Sequence, residues 1–485
     1  MDRESYDGLR TFLKKCEEHG EVKVVKGADW NLEIGALTES VSELIKEPPA
    51  LLFDEIKDYP EGFRVLSIPT ASRVRMALAL GLPTDTPKME IVRHAAVKMR
   101  NAAPMPPREV PTGPVMQNIM RDNEIDLSRF PVLKSHRLDG GRYIGTGDSL
   151  INRDPETGYV NVGTYRMQMH EGNLLGLWMS PGQQGRQICE RYWKEGKACP
   201  VVAVFGADPV LFFLSYTKFP FGVSELDRVG GMLGHPLDVV IGPITGLPIP
   251  AHAEIAIEGE VPPPGEQTHK EGPFGEWPGY YTQGASGSDP EQPVIRVKAI
   301  YYRDNPILLN MAPQWPGAPH HSVRFEGGLL WQQLEAAGVP GIAGAYVHHP
   351  MFIVVAIRQQ YAGHAKQAGM AVLACAAGAR NGRLVVIVDE DIDPSNIDEV
   401  VWAMSTRIDP ASDIQVVDNC WASPLDPRMP PDRSENGPHT NSRAIIYAVR
   451  PFEWRDKFPA VNRIGRDEMA AVVEKYKDIL PFPKR

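Results

Sequence analysis

Apolar residues near the start of the chain recur at helical spacing: Leu9, Phe12, Leu13 and Cys16 fall on one face of the stretch 7–18. The same spacing predicts helices near 31–46, 71–81 and 89–101. Short apolar runs predict strands at Val22–Val25 and Ala50–Phe53, so this opening segment reads as an α/β unit. The segment 103–114, APMPPREVPTGP, is too rich in proline to continue a helix and is expected to connect two domains.

From about Gln117 to Tyr302 the pattern changes to short β-like runs separated by Gly/Pro turns. These runs are 160–165, 175–179, 201–205, 237–241, 254–257 and 294–301, and they predict a strand-dominated domain, barrel or sandwich. Beyond about 325 strand–helix alternation returns, with an apolar strand at Leu384–Val388, an acidic loop and a helix over 395–407. The expected fold is thus α/β in the broad sense (α+β). The N-terminal domain spans 1–113, the β-rich central domain 114–320, and the C-terminal α/β domain, with a role in oligomerisation, 321–485. The final stretch KYKDILPFPKR is expected to form a tail against a neighbouring subunit.

A chain of 485 residues with 42% hydrophobic and 23% charged residues has the composition of a soluble globular enzyme. Its net charge of -10, without a basic run, argues against nucleic-acid binding. No apolar stretch reaches the roughly 18 residues that cross a bilayer. The N-terminus lacks the apolar core of a signal peptide, so a cytoplasmic location is expected, with no membrane partner. Five widely spaced cysteines without a CxxC pair fit reduced thiols better than disulfides or zinc.

Three clusters in the central region carry candidate chemistry. In Asn161–Arg166 an amide oxygen precedes an arginine that can hold a carboxylate in bidentate fashion; the alternative is a strand end with a solvent-facing arginine. In 219–225, FPFGVSE, Glu225 is a candidate ligand or simply complements a helix dipole. In 271–280, EGPFGEWPGY, Glu271 and Glu276 bracket a Gly-Pro-Phe-Gly turn beside Phe274, Trp277 and Tyr280. Aromatic shielding would raise a glutamate pKa toward that of a general acid; a plain turn with exposed acids is the other reading. Oxygen donors of this kind suit Mg²⁺ or Mn²⁺. No P-loop or GxGxxG signature is present.

Across nearly its whole length the chain resembles the UbiD family of decarboxylases. The matching stretches, in the family's order, begin with PALLFDEIKDYPEGFRVL (49–66), DLSRFPVLKSHRLDGGRYI (126–144) and NVGTYRMQMH (161–170). FGADP (205–209), FGVSE (221–225), EGPFGEWPGYY (271–281) and VIVDEDIDPSNIDEVVWAMSTR (386–407) follow. The C-terminal third looks most like the vanillate and phenolic-acid branch. The resemblance implies a split-barrel flavin-binding central domain and prenylated FMN supplied by a flavin prenyltransferase. It also implies Mn²⁺ or Mg²⁺ at the phosphate, a K⁺ nearby, and a homodimer or hexamer.

By motif position Asn161, Gln184 and Glu225 would bind the metal, although Gln184 stands where the family usually has a histidine. Tyr165, Arg166, Gln183, Ser215 and Lys366 would join Asn161, Gln184 and Glu225 around the cofactor. Arg166, Glu271 and Glu276 would be the catalytic set: Arg166 orients the carboxylate, Glu271 positions Arg166, and Glu276 protonates the carbon that lost CO2. His320 and His321 are candidates to hydrogen-bond a phenol or ring N–H, or else form a surface pair. The acidic loop 389–393 would be structural, capping the next helix. The implied reaction is reversible decarboxylation of an aromatic or heteroaromatic acid, of the hydroxybenzoate, vanillate, indole- or pyrrole-carboxylate type. The alternatives are a subunit of a multi-subunit aromatic carboxylase, or an oxidoreductase using ordinary FMN.

Overall fold

A computed structural model of the chain describes residues 8–281, 290–315, 323–430 and 437–480. It has three domains that mix helices and sheets, with a curled half-barrel sheet in the centre. The N-terminal helix Gly8–Glu18 buries Leu9, Phe12, Leu13 and Cys16, the face its apolar spacing defines. The first sheet is ordered Val22–Lys26, Ala50–Asp54, Arg64–Ser67 and Ile307–Asn310. Its last strand arrives from far along the chain and pairs in parallel with Arg64–Ser67.

The central sheet is antiparallel and is organised around one long strand, Glu291–Tyr302. That strand pairs with Leu174–Trp178, Ile255–Val261, Asn118–Arg121 and Thr268–Lys270. The register shifts between Glu258 and Gly259, where a Cβ on Gly259 would lie 2.5 Å from the Arg296 carbonyl oxygen. Bulges of this kind bend a strand and help the sheet curl.

The run 160–165, read as one strand, ends at Gly163, and a separate strand starts at Arg166. Val160–Gly163 pairs with Asp148–Arg153, and Arg166–Met169 pairs on a different neighbour, Leu174–Trp178. Between them the Thr164 N–H turns to the Ser215 carbonyl and the Tyr165 N–H to Asp148 Oδ2. Two side-directed hydrogen bonds therefore break the ladder just before Arg166.

The proline-rich segment is also tied down: Arg108–Glu109 pairs in parallel with Asp238–Ile241. Proline suits such an edge position because it has no N–H to leave unpaired. In the C-terminal sheet Phe352–Ile357, Leu384–Asp389 and Thr440–Ala448 run parallel between two antiparallel edges. Its middle strand is buried almost throughout, as expected where helices cover both faces. Among the described residues no helix is long and apolar enough to cross a membrane, and the five cysteines are free thiols.

The acidic loop is held by ion pairs: Arg407 bonds Asp389 at 2.8 Å and Asp391 at 2.7 Å. The cap of the helix Ile397–Thr406 is Asn396, which accepts from the Asp398 N–H. The loop's aspartates anchor Arg407, and capping falls to the asparagine after them.

Candidate active site

One cavity of about 490 Å³ lies where the central sheet meets the C-terminal region, within the usual size range for small-molecule sites. Asn161, Tyr165, Arg166 and Glu276 line it, as do Gln183, Gln184, Ser215 and Glu225. Two expected members stand elsewhere. Glu271 is behind the wall, 1% exposed and bonded to Arg166. Lys366 is exposed on the helix His364–Ala374 and does not line the cavity. His320 and His321 lie outside the described residues.

At one end, Arg166 donates from Nε to Glu271 Oε1 at 2.6 Å and from Nη2 to Oε2 at 2.7 Å. Its Nη1 donates to Glu276 Oε1. The guanidinium stacks 4.7 Å from the Trp178 ring and 5.3 Å from Phe274. Arg166 and Glu276 are 7% and 6% exposed, which excludes both a solvent-facing arginine and a turn with exposed acids. Burial alone would lower the Arg166 pKa, but Glu271 and Glu276 hold it above its ordinary range. Burial pushes the Glu276 carboxyl up; Arg166 opposes this, and the Glu271 charge adds to it.

The turn between the two glutamates is clamped from outside. Asp139 Oδ1 accepts from the Gly275 N–H at 3.1 Å, and Gly140 N–H donates to the Pro273 carbonyl at 2.7 Å. The Tyr143 hydroxyl reaches the Gly272 carbonyl, and Gly272 N–H reaches Gln168 Oε1. A Cβ on Gly272 would sit 2.5 Å from the Gly140 Cα, so both glycines are demanded by close backbone approach.

The other end gathers oxygen donors and cations. Glu225 is 3% exposed and accepts from the Val162 N–H at 2.9 Å. Burial pushes its carboxyl up to about 8; the Val162 and Glu225 amides and the Tyr159 hydroxyl pull the other way, and no cationic side chain contributes. Asn161 uses Nδ2 on Asn152, and Gln184 uses Nε2 on the Phe219 carbonyl. Their amide oxygens thus remain as acceptors; that of Gln184 takes the Tyr159 hydroxyl at 2.9 Å. A buried carboxylate that has no cationic neighbour among the described residues, flanked by amide oxygens, fits a hard divalent ion. Among the described residues there is no group of three His, Cys, Asp or Glu side chains that could hold a metal, so the fit rests on amides plus one carboxylate.

Gln183 and Ser224 precede the helices Gln184–Lys194 and Glu225–Leu233, so two helix N-termini border this end, where anions are favoured. Ser215 Oγ pairs with Ser149 Oγ, and the Tyr165 hydroxyl accepts from the Gly185 N–H.

Lys218 and Arg380 also line the cavity, 5.1 and 5.7 Å from the ring of Trp421. Burial lowers both pKa values, that of Arg380 to about 10, and Arg380 lowers Lys218 further. Among the described residues no carboxylate pairs with either cation, which suits the two to an anion. Sequence reasoning missed them. Lys218 adjoins the motif at 219–225, but Arg380 and Trp421 carry no local signal and arrive only through the fold.

The curled central sheet thus carries a buried Arg–Glu–Glu group at one end of a pocket whose other end gathers oxygen donors and two cations. The chain belongs to the UbiD family: it matches the 3-octaprenyl-4-hydroxybenzoate carboxy-lyase N-terminal domain at 13–95, the Rift-related domain at 108–316 and the C-terminal domain at 326–448. It is 32% identical over 483 residues to a pyrrole-2-carboxylic acid decarboxylase of Pseudomonas aeruginosa, covering 95% of each chain. It is 31% identical to a phenolic acid decarboxylase of Bacillus subtilis, covering 88% of this chain and 90% of the relative. The closed form of the vanillic acid decarboxylase of Sedimentibacter hydroxybenzoicus superposes with a TM-score of 0.83 at 27% identity, covering 98% of this chain and 99% of that one. The UbiD-class enzyme HmfF from Pelotomaculum thermopropionicum, in complex with FMN, gives 0.82 at 27% identity over 98% of this chain and 100% of that one.

Proposed function

We propose that this protein decarboxylates an aromatic or heteroaromatic carboxylic acid, with Arg166, Glu271 and Glu276 as its catalytic set and prenylated FMN as its cofactor. The observation that carries this reading is the buried Arg166–Glu271 fork with Glu276 at its cavity-facing side. Arg166 receives the substrate carboxylate, and Glu271 fixes the plane of the guanidinium so that it does. Trp178, Phe274 and Trp277 exclude water from the acid as it binds. CO2 departs as a neutral molecule, leaving the bonding pair behind. Glu276, in its protonated form, then gives its proton to that carbon and is reprotonated from water. Read backwards, the same groups carboxylate when CO2 is abundant. When bound, the prenylated flavin supplies the electrophilic sink for the electron pair of the C–CO2 bond.

Asn161, Gln184 and Glu225 would hold Mn²⁺ or Mg²⁺, with K⁺ beside it; Lys218 and Arg380 would receive the flavin phosphate, a place first expected for Lys366. Support for the cofactor comes from HmfF, whose evolved dimeric form is in complex with prFMN and matches at a TM-score of 0.79 and 26% identity. A cytoplasmic homodimer or hexamer is part of this reading; exposed Val472, Ile479 and Leu480 near the C-terminus suit a subunit contact.

The test is expression with and without a flavin prenyltransferase, followed by CO2 release from a panel of aromatic acids. Release that depends on the prenyltransferase is expected. Equal activity in cells lacking one overturns the cofactor assignment.

A further inference from the structure

The same cavity carries a second polar group that the reaction above does not use. Tyr216, Arg324 and Glu326 line it beside the apolar Phe274, Met311 and Pro313. Arg324 Nη1 stands 3.8 Å from Glu326 Oε1, a long, loose pair. The other carboxylate oxygen, Glu326 Oε2, is buried and has no hydrogen-bond partner among the described residues. A buried acceptor left unsatisfied costs stability unless a ligand supplies a donor.

Neighbouring contacts tie this group to the catalytic end. The rings of Phe213 and Phe325 stack at 5.4 Å, which fastens the helix before Tyr216 to the segment carrying Arg324 and Glu326. His349 lies 5.8 Å from the ring of Trp277, the residue after Glu276. Burial lowers the pKa of His349 to about 4, and the charge of Arg324 lowers it further. Burial also keeps the Tyr216 hydroxyl protonated, with Glu326 reinforcing this and Arg324 opposing it.

We propose that Glu326, countered by Arg324 and flanked by Tyr216, selects aromatic acids that carry a neutral hydrogen-bond donor, a ring hydroxyl or ring N–H, away from the reacting carboxylate. This rests on the decarboxylase reading for the placement of the acid on Arg166. Because Arg324 offsets the Glu326 charge, the pair favours neither a second carboxylate nor an ammonium group. A donor meets the unpartnered oxygen of Glu326, whereas an isostere lacking one leaves that oxygen unpaired.

The test is binding, by calorimetry on the flavin-loaded protein, of two matched pairs of probes. Pyrrole-2-carboxylate against furan-2-carboxylate reports a ring N–H, and 4-hydroxybenzoate against 4-methylbenzoate reports a ring hydroxyl. A preference of about ten- to hundredfold for the donor member of at least one pair is expected, as for one buried acceptor left unmet. Glu326→Leu should bring that ratio close to one, and the isosteric Glu326→Gln should lower it by at least threefold. If the leucine variant fails to fold, the glutamine variant decides.

A ratio near one in both pairs, no binding of any probe, or a ratio unchanged in Glu326→Gln overturns the proposal. CO2 release is scored separately. Selective binding without release leaves this proposal standing and removes the decarboxylase reading; release without selectivity does the reverse.

Discussion

Glu271 grips Arg166 along one edge, with bonds of 2.6 and 2.7 Å, while only Arg166 reaches the cavity. The glutamate therefore acts through the arginine. Glu271→Gln keeps the shape but removes the charge and turns one acceptor into a donor facing a guanidinium. Breaking a buried pair in this way is expected to cost about 3 kcal/mol of stability. Arg166→Lys loses the planar fork and should lower kcat/KM by about 10²-fold or more. Denaturant melts and steady-state kinetics on both variants and their double mutant check this; strictly additive effects would uncouple the two residues.

Glu276 sits against the same arginine, and burial raises its pKa. Glu276→Gln should reduce turnover by about 10²–10⁴-fold, the usual contribution of a positioned proton donor, while flavin absorbance stays with the protein. The donor works only when protonated. The wild-type kcat should therefore fall as pH rises through the raised pKa, and that limb should be missing from the residual activity of the variant.

The clamp on the glutamate turn makes Asp139 a positioning residue. It accepts from the Gly275 N–H and, through its other oxygen, from the His136 N–H. Asp139→Ala leaves both part-buried donors unmet, an expected cost of about 1 kcal/mol. It should lower kcat more than it raises KM, because Glu276 loses its aim while Arg166 keeps its grip. Asp139→Asn, which retains one acceptor, should recover part of the rate.

Lys218→Met and Arg380→Met should each release flavin during purification without altering the far-ultraviolet circular dichroism. Removing both should abolish retention. Lys366→Met, on an exposed helix turn outside the cavity, should retain flavin like the wild type. Flavin-to-protein absorbance ratios measure all of these.

Asp148 anchors the strand break below Tyr165 and is 0% exposed, with Oδ1 unpartnered among the described residues. Burial pushes its carboxyl up to about 8, against the Tyr165 amide hydrogen bond, which lowers it. The folded state thus holds a proton that the unfolded chain releases near its ordinary pKa. Its contribution to stability is complete at acid pH and is lost as pH rises through the folded value, at up to about 1.4 kcal/mol per pH unit. Urea midpoints between pH 5 and pH 8 should fall in the wild type and flatten in Asp148→Asn.

The sequence by itself determined the elements and the chemistry within each motif. Spacing placed the apolar face of Gly8–Glu18, because a helix buries every third or fourth residue whatever it packs on. The quoted motifs placed Arg166, Glu271, Glu276 and Glu225, because each lies in a local pattern of glycine, proline and aromatic residues. Only the tertiary structure decided what meets across the chain. It ended the strand of 160–165 at Gly163, since the acceptors Ser215 and Asp148 that take the next two amides come from other elements. It carried Ile307–Asn310 into the first sheet and set Arg380 and Trp421 opposite Lys218. Such pairings follow from the burial of long-range neighbours, which leaves no periodic trace along the chain.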